Sequence, residues 1–64
     1  MDSFTPRVKE ILRANGCWYV RPAKGDHEWW FSPISKRHFA VDYKIKSRAT
    51  ANIVLKQAGL PKSI

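Results

Sequence analysis

A chain of 64 residues with a single cysteine has no disulfide of its own to hold a fold together. Domains shorter than about 70–80 residues usually lean on disulfides, a structural metal or a partner chain, because one small core stabilises them only weakly. Cys17, His27 and His38 stand alone, without the paired spacing of a zinc site. The missing support must therefore come from tight packing or from a partner chain, in one domain spanning residues 1–64, with no metal and no cofactor expected. The longest apolar run, Cys17-Trp18-Tyr19-Val20, is far short of the ~20 residues a membrane span requires. The start, from Met1 to Arg7, has no signal-peptide apolar region. A soluble protein of a reducing compartment, the cytoplasm, is expected, with no membrane partner.

Hydrophobic spacing divides the chain into five elements. Phe4, Val8, Ile11 and Leu12 form one helical stripe, with Pro6 in the first turn and Ser3 or Thr5 as competing N-caps. Asn15-Gly16 ends that helix. Three short segments of strand character follow: Cys17 to Pro22, His27 to Ser32, and His38 to Asp42. Turns around residues 22–26 and 32–36 separate them. A second helix is predicted from about Ser47 to Ala58, with Ala51, Val54, Leu55 and Ala58 on one face, widened by Ile53. Gly59 takes its left-handed end position, Pro61 forbids continuation, and Leu60 is placed to touch Leu55 in a Schellman ending. The order αβββα gives an α+β class: a three-stranded antiparallel sheet with both helices on one face. This is the layout of the double-stranded-RNA-binding domain.

A turn centred on Ile34-Ser35 pairs Trp30 with Phe39 and Glu28 with Val41. Trp30 then joins Phe39 and Val41 under the helices, while His27, Trp29 and Phe31 point to the open face. A one-residue slip of register would exchange the two faces. In this register an exposed Trp29 and Phe31 form a partner interface, since small domains seldom show such a patch without a use for it. The alternative is a Trp29 half-buried against the first strand.

Charge selects among functions. Twelve Lys+Arg oppose five Asp+Glu, for a net +7. The acids Asp2, Glu10, Asp26, Glu28 and Asp42 all precede Tyr43, after which come only cations: Lys44, Lys46, Arg48, Lys56 and Lys62. A basic surface carrying aromatics is the footprint of nucleic-acid binding. Lys44, Lys46 and Arg48 gather at the start of the second helix, where cations oppose the helix dipole. Combined with the free N–H groups of a helix start they make a site for an RNA phosphate; otherwise they are a solvated basic loop. Arg21 and Lys24 flank His27 from the other turn.

Candidates for catalysis are few. The carboxylates are scattered, Cys17 reads as core, and no glycine-rich phosphate loop is present. His27 begins a strand on the presumed wet face, directly after Lys24-Gly25-Asp26. Histidine exchanges protons near neutrality and can serve an RNA 2′-hydroxyl or a leaving 5′-oxygen. Asp42 lies opposite it, able to orient the ring through Nδ1. Read on residue physics alone, His27 is better taken as a surface histidine of no consequence. His38 stands four residues from Asp42 on its strand, ~13 Å at ~3.3 Å per residue, so it forms no dyad with His27 and reads as a hairpin-end surface residue.

The stretches Asn15-Gly16, Val20-Arg21, Lys24-Gly25-Asp26-His27 and Ile53-Val54-Leu55-Lys56-Gln57-Ala58-Gly59-Leu60 resemble the HicA family of bacterial toxins. These are small mRNA interferases of type II toxin–antitoxin modules. The resemblance spans nearly the whole chain in the family's order and spacing. It implies a double-stranded-RNA-binding-domain-like fold and metal-independent endonucleolytic cleavage of mRNA. It also implies a HicB-like antitoxin, encoded nearby, that covers the active face. The family's active-site histidine falls on His27, and the glycine two before it on Gly25. Two departures stand out: Asp26 replaces a common serine, and Phe39-Ala40-Val41-Asp42 runs without the usual proline. Beside the nuclease reading stand an RNA-binding module without catalysis and an interaction subunit whose charge serves an acidic protein.

Overall fold

In a computed structural model, which describes residues 3–61, two helices pack on one side of a three-stranded antiparallel sheet. Asp2 and Lys62, counted above among the charges, lie outside the described residues. The elements are α1 (Thr5–Ala14), β1 (Trp18–Pro22), β2 (His27–Ser32), β3 (Arg37–Asp42) and α2 (Arg48–Gln57), in the expected αβββα order. The sheet runs β1-β2-β3 with no crossover. No helix among the described residues is long and apolar enough to cross a membrane.

The register follows from the four-residue turn after Ser32. Trp30 pairs with Phe39, Glu28 with Val41, and His27 with Asp42. Trp30, Phe39 and Val41 accordingly face the helices and are buried, together with Val8 and Leu12 of α1 and Ala51, Val54 and Leu55 of α2. Ile53 does not widen this face; it stands exposed on the outer side of α2. Between β1 and β2 the register shifts around Val20, a bulge that advances β1 by one residue. Helices of ten residues cannot roof three strands evenly, and every residue of β1 remains exposed.

Both helices close with the double hydrogen bond of a Schellman motif. Gly16 and Cys17 donate to the carbonyls of Arg13 and Leu12, and Gly59 and Leu60 to those of Lys56 and Leu55. Gly59 has φ +84°, and a Cβ there would lie 2.9 Å from the Ile34 side chain, so both backbone and packing demand glycine. The buried Ser32 joins this end of α2 to the β2–β3 turn. Its hydroxyl donates to the Ala58 carbonyl (2.6 Å) and accepts from the N–H groups of Ile34 and Ser35.

The helix starts differ from expectation in one respect. Ser47 caps α2, its hydroxyl accepting from Thr50 N–H at 3.0 Å. For α1, neither Ser3 nor Thr5 is the cap: the cap position falls to Phe4, which makes no side-chain cap bond. Thr5 lies inside the helix and is buried, because its hydroxyl is engaged elsewhere. It accepts from Ile45 N–H (2.8 Å) and donates to the Asp42 carbonyl (3.2 Å), while Phe4 N–H donates to the Ile45 carbonyl (2.7 Å). Ile45 itself is 1% exposed. This unforeseen core residue ties the β3–α2 loop to the start of α1.

On the helix side, Trp30 is completely buried and its indole N–H donates to Glu28 at 3.0 Å. The same Glu28 oxygen meets Lys9 of α1 at 3.0 Å, and the Arg13 guanidinium lies over the Trp30 ring. Burial pushes the Glu28 carboxyl up, but the Trp30 hydrogen bond and the Lys9 and Arg13 charges outweigh it and hold the carboxyl below its ordinary value.

Candidate nucleic-acid interface and proton-transfer site

The strand register builds the open face as a ladder of rows. At one end His27 of β2 faces Asp42 of β3, with Nε2 donating to Oδ1 at 2.9 Å; the two side chains are 43% and 38% exposed. The pairing is the expected one, but the nitrogen differs: the ring turns Nε2, not Nδ1, to the carboxylate. Nδ1 instead points toward the β1–β2 turn, where a Cβ on Gly25 would lie 3.7 Å from it. Gly25 has φ +74°, a conformation that favours glycine in this turn, while 3.7 Å is an ordinary contact distance.

The basic loop leaves the sheet at this same end. Tyr43 N–H donates to the Asp26 carbonyl (3.0 Å), holding the start of the loop against the turn that precedes His27. A cleft of about 440 Å³ opens here, lined by Asp26, Asp42, Tyr43, Lys44 and Lys46. Lys44 and Lys46 reach this rim because Ile45 between them is anchored in the core, so alternate side chains turn outward. Arg48 is not part of the cleft; its guanidinium lies over the Phe4 ring, 6.0 Å from the centroid. The expected helix-terminus contribution is also reduced, since Ser47 already occupies Thr50 N–H. Lys24 and Arg21 are exposed on the opposite side of His27, Arg21 paired with Trp29 across the ladder.

The remaining rows are aromatic. Trp18, Phe31 and His38 lie across the three strands, with ring centroids 5.1 Å apart for Trp18–Phe31 and 4.9 Å for Phe31–His38. Trp29 stacks on His38 with planes only 8° apart, at 5.9 Å. Trp29 is thus half-buried, with His38 of β3 stacked on it and Arg21 of β1 as its ladder partner. His38 is exposed at the hairpin end, as expected, and is also a member of this ring cluster. Trp18 belongs to the cluster too, although its place was not legible: Trp18 and Tyr19 are adjacent aromatics, and the bulge at Val20 obscures their phase.

Among the described residues, no three His, Cys, Asp or Glu side chains gather as a metal site. What the arrangement offers is a histidine oriented by a carboxylate, a cleft beside it where Lys44 and Lys46 face Asp26 and Asp42, and a row of rings leading away. If Lys44 and Lys46 hold phosphates, replacing both by Gln weakens binding to unrelated RNAs alike. The slope of log affinity against log salt then falls by about 1.4, at ~0.7 per phosphate contact on a single strand. Arg48→Gln alone leaves that slope unchanged. Titration of a labelled strand at several salt concentrations measures both effects, and an unchanged slope in the double variant would remove the cleft from consideration.

Comparison with protein families, with curated proteins and with solved structures finds no match to this chain.

Proposed function

We propose that the chain is an endoribonuclease toxin of the HicA type that cleaves mRNA without a metal, with His27 as its proton-transfer group. The observation that carries this reading is the 2.9 Å bond from His27 Nε2 to Asp42, at the sheet end where Lys44 and Lys46 line a cleft. Asp42 fixes the ring and its tautomer: with the proton of Nε2 committed to the carboxylate, the lone pair of a neutral imidazole sits on Nδ1.

The chemistry follows from that assignment. Nδ1 takes the proton of an RNA 2′-hydroxyl, and O2′ forms its bond to the adjacent phosphorus. The P–O5′ bond breaks, and the departing O5′ takes a proton from the imidazolium or from a water in contact with it. The net change moves one proton from O2′ to O5′ and leaves a 2′,3′-cyclic phosphate and a 5′-hydroxyl. Lys44 and Lys46, with Arg21 and Lys24 from the other side, supply positive charge where the phosphorane gathers negative charge, a term often larger than the acid–base contribution. Gly25, at φ +74°, makes the β1–β2 turn that sits beside Nδ1 of His27. A HicB-like antitoxin laid across the open face would block the approach to that nitrogen.

Purified protein is expected to cut single-stranded RNA in excess EDTA, and mass spectrometry of the fragments to show cyclic phosphate ends. Activity that needs an added divalent ion, or fragments ending in a 5′-phosphate, would sink the mechanism.

A further inference from the structure

We infer that the ring cluster Trp18–Phe31–His38–Trp29 is a base-stacking platform that takes the unpaired nucleobases of a single RNA strand whose backbone passes the His27 end of the sheet. The inference rests on the RNA reading above but not on the chemistry assigned to His27. Four rings in contact cover much of the open face, and Trp18 remains 51% exposed. Every base presents a flat π-face, so such a surface accepts bases without regard to sequence. Aromatic side chains on an open sheet face hold two or three unstacked bases in this way in other RNA-binding folds.

Spacing along β2 links the platform to the site. Trp29 stands two residues from His27 and Phe31 four, roughly 7 and 13 Å at ~3.3 Å per residue. Successive bases of an extended strand can therefore rest on Trp29 and then on Phe31 and Trp18, while the phosphate at His27 meets the cleft. Charge favours a polyanion as the occupant. The strand positions that face outward carry Arg21, and among the described residues their one acid is Asp42, already engaged by His27. The chain as a whole carries +7. A duplex does not fit, since its bases are stacked on one another and present no free face to a ring.

The test measures fluorescence anisotropy of an end-labelled strand with 2′-O-methyl riboses, which cannot be cleaved, so binding is read whether or not the protein is a nuclease. Three probes are compared: the single strand, the same strand annealed to its complement, and an abasic strand with the same phosphates. The single strand should bind most tightly. Trp18→Ala and Trp29→Ala should each weaken it about fivefold to a hundredfold, the range of one lost base–aromatic stack, with an unchanged salt slope. Trp29→Phe should restore most of the affinity, and the abasic strand should not distinguish the variants from the parent. Thermal unfolding checks that each variant is folded, and the half-exposed Trp18 makes its replacement the safer of the two. Equal affinity for single strand, duplex and abasic strand would overturn the proposal. So would folded Trp18→Ala and Trp29→Ala variants that bind the single strand like the parent.

Discussion

Replacing His27 by alanine should lower RNA cleavage by about 10²–10⁴-fold, the contribution of one positioned proton-transfer group, and abolish growth arrest on expression. The fold should survive. His27 and Asp42 are both more than a third exposed, and surface ion pairs of that kind are worth about 0–1 kcal/mol. RNA affinity should also survive, because in the proposed function phosphate contacts are assigned to the cations around the site and base contacts to the rings, not to His27. Asp42→Asn provides the finer test. Its amide oxygen can still accept from Nε2–H, so the ring stays in place while the charge that stabilises an imidazolium is lost. The expected result is a fall in kcat smaller than that of His27→Ala, with KM unchanged. Full activity in His27→Ala would end the assignment, and a fall in RNA affinity equal to the fall in rate would turn His27 into a binding residue.

The parts of this site that could be read in advance were those set by chain geometry alone. The turn length between Ser32 and Arg37 determines the β2–β3 register, and the register alone brings His27 opposite Asp42 and Trp30 opposite Phe39. Helix ends were equally legible, since Asn15-Gly16 and Gly59-Leu60 encode their Schellman bonds locally. The failures share a different physical origin: each depends on a partner far along the chain. Thr5 is drawn from capping by Ile45, forty residues away. Ser32 is a polar residue made acceptable in the core only by the Ala58 carbonyl at the end of α2. Which imidazole nitrogen meets Asp42 depends on the ring rotamer, which register does not fix. Trp18 could join the ring cluster only once the bulge at Val20 was known. Ile45 did carry a local signal, an apolar residue alternating with Lys44 and Lys46, but a stretch so basic reads first as a solvated loop.

Ile45 is where fold and site depend on one residue, and its truncation should have the largest effect on stability. The side chain belongs to the core cluster with 1% exposure, and its backbone N–H and C=O are both bonded to the start of α1. Ile→Ala at such a position costs about 2–5 kcal/mol, from lost burial and from the cavity left behind. A core of this size rarely supplies more than about 3–5 kcal/mol in total. Ile45→Ala should therefore leave a large fraction of molecules unfolded at 25 °C, visible as a lost or strongly lowered urea midpoint. Ile45→Val, which removes one methyl group, should cost only about 0.5–1.5 kcal/mol and remain folded. That milder variant separates packing from charge: Lys44 and Lys46 are untouched, so its affinity for RNA and its salt slope should match the parent. A stable Ile45→Ala protein would mean that the loop is not anchored through this side chain. A folded Ile45→Val protein with weakened RNA binding would mean that the two lysines depend on the fit of the peg and not merely on its presence.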